Sequence, residues 1–285
     1  MVLQFCDRIH EDPALRDSFN ALTRRVFGFD FTAWDRDGLW TERYRPHALV
    51  CGGRVVANVS VNRMRFRAFD RELPLLQLGT VMTDPDFRGQ GLARRLMEEV
   101  LSRAPEDVYL FANDGVLDFY PRFGFRRGDE YRCSRTVDPS PAAAAQPIDP
   151  CAPENRALLD RLLDLPRPGE ALALEDNPQL YLFYLLGPMR NCLYALPGDS
   201  GLAVAEREGD ALTLHAVLAE RALAPEWVAG CFEGVRRLHL AYTPTDRQGF
   251  DCDKYHEEDT TLFYRGRALE QLLSRRVLFP ALSHA

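Results

Sequence analysis

Residues 76–97, LQLGTVMTDPDFRGQGLARRLM, constrain the fold more than any other stretch of this 285-residue chain. An apolar strand ends in Val81-Met82-Thr83, a turn runs through Asp84-Pro85, and Arg88-Gly89-Gln90-Gly91 opens an amphipathic helix. The spacing predicts that helix over residues 91–103, with Leu92, Ala93, Leu96, Met97, Val100 and Leu101 on one stripe. Its outer face carries Arg95–Glu99 and Glu99–Arg103 at i, i+4. A strand entering a helix in this way points several unpaired backbone N–H groups at one spot, with the helix dipole behind them. That arrangement suits a pyrophosphate. Gly89 and Gly91 remove side chains where an anion must approach the backbone, and Arg88 adds charge. The glycines alone are explained about as well by a ligand-free turn. Two phosphate motifs are excluded. There is no G-x-x-x-x-G-K-S/T, and Arg94 stands where G-x-G-x-x-G needs its third glycine.

The flanking sequence sets this unit in an alternation of strands and helices. Asp12 is a good N-cap, Pro13 suits a first helical turn, and Leu15, Phe19, Leu22 and Val26 recur at helical spacing. His47–Cys51, Gly52-Gly53 and Val55–Met64 read as a hairpin. A third strand is expected over Phe66–Phe69, returning through Asp70 into Leu75–Met82. Val108–Ala112 reads as a strand, Gly115–Phe123 as a short helix and Tyr131–Val137 as a closing strand. The order implies an α/β (α+β mixed) fold with a partly parallel sheet. The proline- and alanine-rich stretch 138–150, DPSPAAAAQPIDP, reads as a linker between domains 1–137 and 151–285. Beyond it, helices are expected over Asn155–Leu163, Asn177–Leu186, Pro225–Val235 and Ala268–Arg276. Strands are expected over Asn191–Leu196, Leu202–Glu208, Ala211–Leu218, Arg237–Thr243 and Asp259–Tyr264, an order that broadly repeats the first half.

Composition narrows the chemistry. A net charge of −7 supplies no basic footprint for nucleic acid and would, if anything, favour a cationic amine. The seven cysteines stand singly with no Cys-x-x-Cys pair, which argues against a disulfide framework and against a zinc site. MVLQFCDRIHEDP lacks the apolar core of a signal peptide and no 18-residue apolar run exists, so a cytoplasmic protein without a membrane partner is expected. The acidic segment Asp251–Asp259 could line a cationic site or hold a metal, but a solvated loop is the better reading. Trp34 and Trp40 look exposed and could shape a pocket, although a buried core explains them equally well.

Arg88-x-x-Gly91-x-Ala93, following Val-Met-Thr-Asp-Pro, resembles the acyl-CoA signature of the GNAT superfamily of N-acetyltransferases, Gln/Arg-x-x-Gly-x-Gly/Ala. Asn113 through Phe125 resembles that family's second signature, an Asn followed seven residues later by the Tyr of F-Y-x-x-x-G-F. The resemblance covers about residues 1–137. It implies a GNAT fold with splayed central strands and an acetyl-CoA cosubstrate, with no metal. The backbone of Val81, Met82 and Thr83 would bind the pantetheine arm. Arg88, Gly89, Gln90, Gly91, Leu92, Ala93 and Arg94 would wrap the pyrophosphate, and Asn113 would reach the pantetheine. Tyr120 would stand near the thioester sulfur as general acid, against the plainer reading of a core aromatic facing Val116 and Phe123. The expected acceptor is a primary amine on a small molecule or peptide. The rival reading is a non-catalytic acyl-CoA-binding or interaction module on the same scaffold.

The family's glutamate on the fourth strand is missing, since Leu75–Thr80 offers only Gln77. The base is left open among a water chain, Asp114, a group from the second half and another carboxylate. The second half has no glycine in Ala219–Pro225 where a pyrophosphate would bind, so it reads as a degenerate GNAT-like domain for substrate binding or dimerisation. A homo-oligomer is left open. A catalytic half followed by a degenerate one is similar to the Eis-like acetyltransferases, whose Tyr-x-Arg-Phe-Gly segment resembles Tyr120–Gly124. Little room remains for the further C-terminal domain of that family. Aminoglycoside acetylation and a catalytic chain-terminal carboxylate at Ala285 are therefore not carried over.

Overall fold

A computed structural model describes residues 2–104, 107–141 and 144–285. Helix α1, Pro13–Phe27, starts where the Asp12 carboxylate accepts the N–H groups of Ala14 and Leu15, and ends at Gly28 with φ 82°. Helix α2 follows over Thr32–Arg36. Strands β1 (Gln4–Cys6), β2 (Tyr44–Cys51), β3 (Arg54–Ala68) and β4 (Arg71–Thr83) form an antiparallel meander, then α3 (Leu92–Arg103) leads to β5 (Val108–Ala112), parallel to β4. The apolar stripe of α3 buries Leu92, Leu96, Met97, Val100 and Leu101 as its spacing requires. Its outer face pairs Arg94 with Glu98 and Arg103 with Glu99, one residue off the expected Arg95–Glu99 contact.

After β5 the chain makes two 3-10 turns, Asp114–Val116 and Tyr120–Phe123, in place of the expected helix over Gly115–Phe123. Pro121 and Gly124 leave no room for a longer one. The remaining strands are β6 (Arg126–Arg127), β7 (Glu130–Thr136), β8 (Gln146–Pro147), β9 (Leu172–Glu175), β10 (Leu193–Ala195), β11 (Leu202–Glu208), β12 (Ala211–Leu218), β13 (Arg237–Leu240), β14 (Asp251–Tyr255) and β15 (Thr261–Arg265). Helices α4 (Pro153–Leu163), α5 (Pro178–Leu186), α6 (Pro225–Gly230) and α7 (Arg267–Leu273) lie between and after them.

Two sheets result, and each borrows a strand from the other half of the chain. The first runs β1-β2-β3-β4-β5-β15-β6, with β9 also on β3; the second runs β14-β7-β13-β12-β11-β10-β8. Each has one parallel pair, β4–β5 or β12–β13, followed by the borrowed strand and then an own edge strand. The two orders therefore match, as the repeat in the sequence suggested. The expectation that Tyr131–Val137 closes the first sheet is corrected: that strand lies between β13 and β14, and the Asp259–Tyr264 strand lies between β5 and β6. The physical reason is burial. Thr261, Leu262 and Phe263 are all buried, as a central strand covered on both faces must be.

Other expectations also change. β3 is one 15-residue strand, not two, because β9 pairs with Arg65–Ala68 and keeps Arg65 and Arg67 extended. Residues 138–150 are not a free connection: β8 pairs with β10, and Ala144 and Ala145 donate to the Cys231 carbonyl. Ala142 and Ala143 of that stretch lie outside the described residues. Cys133 and Cys252 face each other across β7 and β14 and form a disulfide, a pairing that only the strand exchange makes possible. The predicted helix over Pro225–Val235 stops at Gly230. Among the described residues no helix is long and apolar enough to cross a membrane.

Candidate active site

The site is built around a break in the first sheet. The parallel ladder between β4 and β5 holds only Leu76–Val108, Gln77–Tyr109 and Leu78–Leu110. Beyond Leu78, β4 runs on through Val81, Met82 and Thr83 paired on its other edge with β3, so the two central strands part and one edge of β4 opens. A β-bulge marks the opening: Ser60 faces Gly79 and Asn58 faces Met82, leaving an extra residue in β4. Thr80 sits in this bulge at φ 47°, an uncommon conformation for a β-branched residue and a sign of local strain.

A buried polar network holds the bulge in place. Asn58 Nδ2 donates to Ser60 Oγ and to the Thr80 carbonyl, both at 2.9 Å. Ser60 Oγ donates to Tyr44 Oη at 3.0 Å, and Tyr44 Oη lies 2.9 Å from Thr80 Oγ1. Burial raises the Tyr44 phenol well above its ordinary range, so it remains a neutral hydrogen-bonding group. The sequence reading missed these residues, yet a signal was present. Asn58, Ser60 and Asn62 place polar groups on one face of an otherwise apolar strand.

At the far end of the opening, the turn before α3 is held by charge. Asp84 is buried, receives Arg25 at 2.7 Å and Arg54 at 3.1 Å, and accepts the Asp86 N–H. Gly89 and Gly91 have φ 76° and 71°, and a Cβ built on either meets nothing within 4 Å. Both positions thus require glycine conformationally and face open space. The first intrahelical bond runs from Arg95 N–H to Gly91 O, so the amides of Leu92, Ala93 and Arg94 have no helical partner. Arg88, Gln90, Gly91 and Arg94 are exposed, and among the described residues Arg88 enters no ion pair. These groups fit a pyrophosphate: free amides, a helix N-terminus and an unpaired guanidinium around vacant space.

Asn113 and Tyr120 differ in setting. Asn113 Nδ2 donates to Asp259 Oδ2 at 2.9 Å, while Asp259 Oδ1 accepts the Asp114 N–H at 2.8 Å. Asp259 leads into the borrowed β15, so the second half of the chain fixes the loop after β5. Because a carboxylate only accepts, the Asn113 amide oxygen is the end left for another donor. Asp114 receives Thr261 Oγ1 and the Asp259 N–H, which occupies it as a structural anchor. Tyr120 is 4% exposed and packs against Phe119, Phe125 and Phe263, the last on β15. Burial pushes its phenol up to about 12.

An aromatic cluster stands beside the start of β2. Phe31, Trp34, Trp40, Tyr44 and Phe183 form one cluster with centroid separations of 5.0 to 6.2 Å. Trp34 is buried and Trp40 half-buried, each N–H satisfied by a carbonyl, of Gln179 and Tyr44 respectively. The tryptophans are therefore core residues, and Trp34 joins the first half to α5. The last residues approach from the same side: Tyr184 Oη donates to the His284 carbonyl at 2.5 Å, and the His284 ring stacks on Phe111 at 3.6 Å. Gln77 Nε2 lies 3.5 Å from Ala285 O, and a Cβ on Gly79 would run into the Ala285 carbonyl group. The segment Asp251–Asp259 is not a loop throughout: its first five residues are β14, and Lys254 pairs with Asp129. A groove of about 850 Å³ lies elsewhere, lined by Arg43, Arg63, Arg65, Glu175 and Asp176, and its Arg43 and Arg65 are paired to Asp176.

A splayed mixed sheet with an anion cradle at the next helix defines a class of acyl-group-handling folds, and comparison with known proteins specifies it. Residues 12–128 match the family model of the acetyltransferase (GNAT) domain. The match is confined to that stretch, which holds the opened β4 and the turn before α3. A curated relative, GCN5-related N-acetyltransferase 2, chloroplastic, from Arabidopsis thaliana, is 39% identical over 54 residues, 18% of this chain and 21% of that protein. The chain thus aligns with about a fifth of that relative. Among solved structures, a protein of Enterococcus faecalis V583 described as a probable N-acyltransferase superposes with TM-score 0.62 at 12% identity, covering 93% of this chain and 73% of that one. A GCN5-related N-acetyltransferase from Kribbella flavida gives 0.54 at 15% identity over 92% and 70%. Eis1 from Mycobacterium abscessus gives 0.53 at 14% identity over 99% and 84%. At these identities the likeness is one of fold, and it extends over both units.

Proposed function

We propose that this chain is an N-acetyltransferase that moves an acetyl group from acetyl-CoA to a primary amine on a small molecule or peptide. The observation that carries the reading is the continuous path from the open edge of β4 to the amide cradle before α3. In this reading the backbone of Val81, Met82 and Thr83 takes the pantetheine arm as an added strand, and Asn113 offers it an amide oxygen. Arg88, Gly89, Gln90, Gly91, Leu92, Ala93 and Arg94 hold the pyrophosphate.

The amine nitrogen bonds to the thioester carbonyl carbon, the carbon–sulfur bond breaks, and the nitrogen sheds one proton. Tyr120 keeps its own proton at any working pH and presents it to the departing sulfur. The desolvation that raises the phenol also raises the basicity of a thiolate formed beside it, so the two can share that proton. The amine proton leaves to water, on the side where the Ala285 main-chain oxygen lies against Gly79 and Gln77. The aromatic cluster around Trp40 and Tyr44 supplies an apolar wall that keeps the attacking amine dry.

Turnover is read from the free thiol released with acetyl-CoA and a panel of amines. Tyr120→Phe should lower kcat by about 10²-fold or more while leaving acetyl-CoA affinity near wild type. An unchanged kcat would remove Tyr120 from the mechanism.

A further inference from the structure

The second sheet repeats the opening of the first. Its parallel ladder ends at Leu214–Leu240, and a bulge follows at once, with His215 as the extra residue between the Ala205–Leu214 and Val204–Ala216 pairs. Aligning the last parallel pairs of the two sheets, Leu78–Leu110 and Leu214–Leu240, sets the bulge residue His215 over Gly79, one residue before the Thr80 bulge of the first sheet. The same register sets Ala241 over Phe111 and Thr243 over Asn113. The second half thus keeps the geometry of a cofactor cleft even though it lacks the glycine turn.

That cleft is filled by the chain itself. Ala241 donates its N–H to Leu214 O on β12, and a strand residue directs its N–H and C=O to the same edge, so the Ala241 carbonyl faces the gap. It accepts the N–H of Ala281 at 3.1 Å. Thr243 Oγ1 donates to Leu278 O at 3.0 Å and accepts the Leu278 N–H at 2.7 Å. Upstream, the Phe279 N–H is held by the buried Glu130 and the Val277 carbonyl by the Tyr131 N–H. Residues 277–281 therefore pass from β7 across the end of β13 into the gap beside β12. Residues 284 and 285 emerge against Phe111 and Gly79 of the first.

We infer that residues 277–285 are an internal stand-in for the pantetheine arm. The second unit holds this strap in its vestigial cofactor cleft, with Thr243 in the place of Asn113, and so delivers His284 and Ala285 to the acceptor side of the first unit. The inference rests on the reading of β4 and Asn113 as the pantetheine site. The second half then has a definite role, since its cleft holds the strap instead of acyl-CoA and sets residues 284 and 285 against Phe111 and Gly79. Thr243 is a positioning residue, acting through the strap.

The test uses the full chain with Thr243→Val, Thr243→Ser and Ala281→Pro. Hydrogen–deuterium exchange over residues 278–285 is measured alongside acetyl-CoA titration and steady-state rates. Thr243→Val removes both hydroxyl bonds and should raise Leu278 exchange about tenfold. It should also lower kcat about tenfold while the acetyl-CoA KM stays at the wild-type value. Thr243→Ser keeps the hydroxyl and should restore both readouts. Ala281→Pro deletes the donor to Ala241 at a first-turn position that tolerates proline, and should act like the valine variant. Exchange at wild-type level in both Thr243→Val and Ala281→Pro would overturn the inference, as would two acetyl-CoA molecules bound per wild-type chain. Absence of any acetyl-CoA binding would instead sink the proposed function, while the exchange readout would still decide whether the cleft holds the strap.

Discussion

Individual residues in this fold are placed by unequal forces, and the buried acids show it most clearly. Glu130 is 8% exposed, holds the Phe279 N–H at 2.9 Å, and is pushed up to about 8 by burial. Glu170 is pushed up to about 7 for the same reason, with both carboxyl oxygens buried and without a hydrogen-bond partner. An acid whose pKa is higher folded than unfolded binds more protons in the native state between those two values. Its stabilising contribution is complete below the unfolded value near 4.5 and is lost as pH rises through the folded one. Stability should therefore fall between about pH 5 and pH 8, with Glu130 contributing up to about 1.4 kcal/mol per pH unit. Glu130→Gln keeps an acceptor for Phe279 and should flatten that decline in chemical denaturation at a series of pH values. A wild-type midpoint independent of pH over this range would show that Glu130 is ionised in the fold. His284 has the opposite tendency: desolvation lowers its pKa, so it meets Phe111 as a neutral ring.

Strand β4 is the element that joins the opened sheet edge to the side where Ala285 approaches. Gly79 stands beside the strap because a side chain there would collide with Ala285. Gly79→Ala should displace residues 284–285 and lower kcat about tenfold or more, since overpacking a filled site is costly, while acetyl-CoA affinity stays unchanged. Equal losses in both would mean that the substitution disturbs the whole strand. The β4–α3 unit was legible from sequence because its determinants are local: glycines at positive φ, an N-terminal turn and a 3.6-residue stripe. The role of Gly79 was not legible, because the atom that forbids a side chain there lies more than 200 residues away. The same holds for Asn113, whose resemblance to a family residue said nothing of Asp259. For Trp34 and Trp40 a pocket wall and a buried core read equally well, since the cover of Trp34 comes from the distant α5.

For the molecule as a whole, the exchange of β7 and β15 decides what each half can do. A period-2 pattern identifies a strand without naming its sheet, so Tyr131–Val137 read as the closing strand of the first half and Asp259–Tyr264 as a strand of the second. The Cys133–Cys252 pairing was hidden for the same reason. Through the exchange, Phe263 packs on Tyr120 and Asp259 holds Asn113, so the second half fixes the loop after β5. The matched sheet orders and the two parted strand pairs explain why the fold likeness spans both units, although the glycine turn is present only in the first. The central claim is that the turn before α3 and the opening of β4 form a single acyl-CoA site. A calorimetric titration of the full chain with acetyl-CoA tests it most directly. One molecule should bind per chain, with affinity reduced at least about tenfold in Arg88→Glu, where a free cation becomes an anion facing the pyrophosphate. No binding, or binding unaffected by Arg88→Glu, would contradict it.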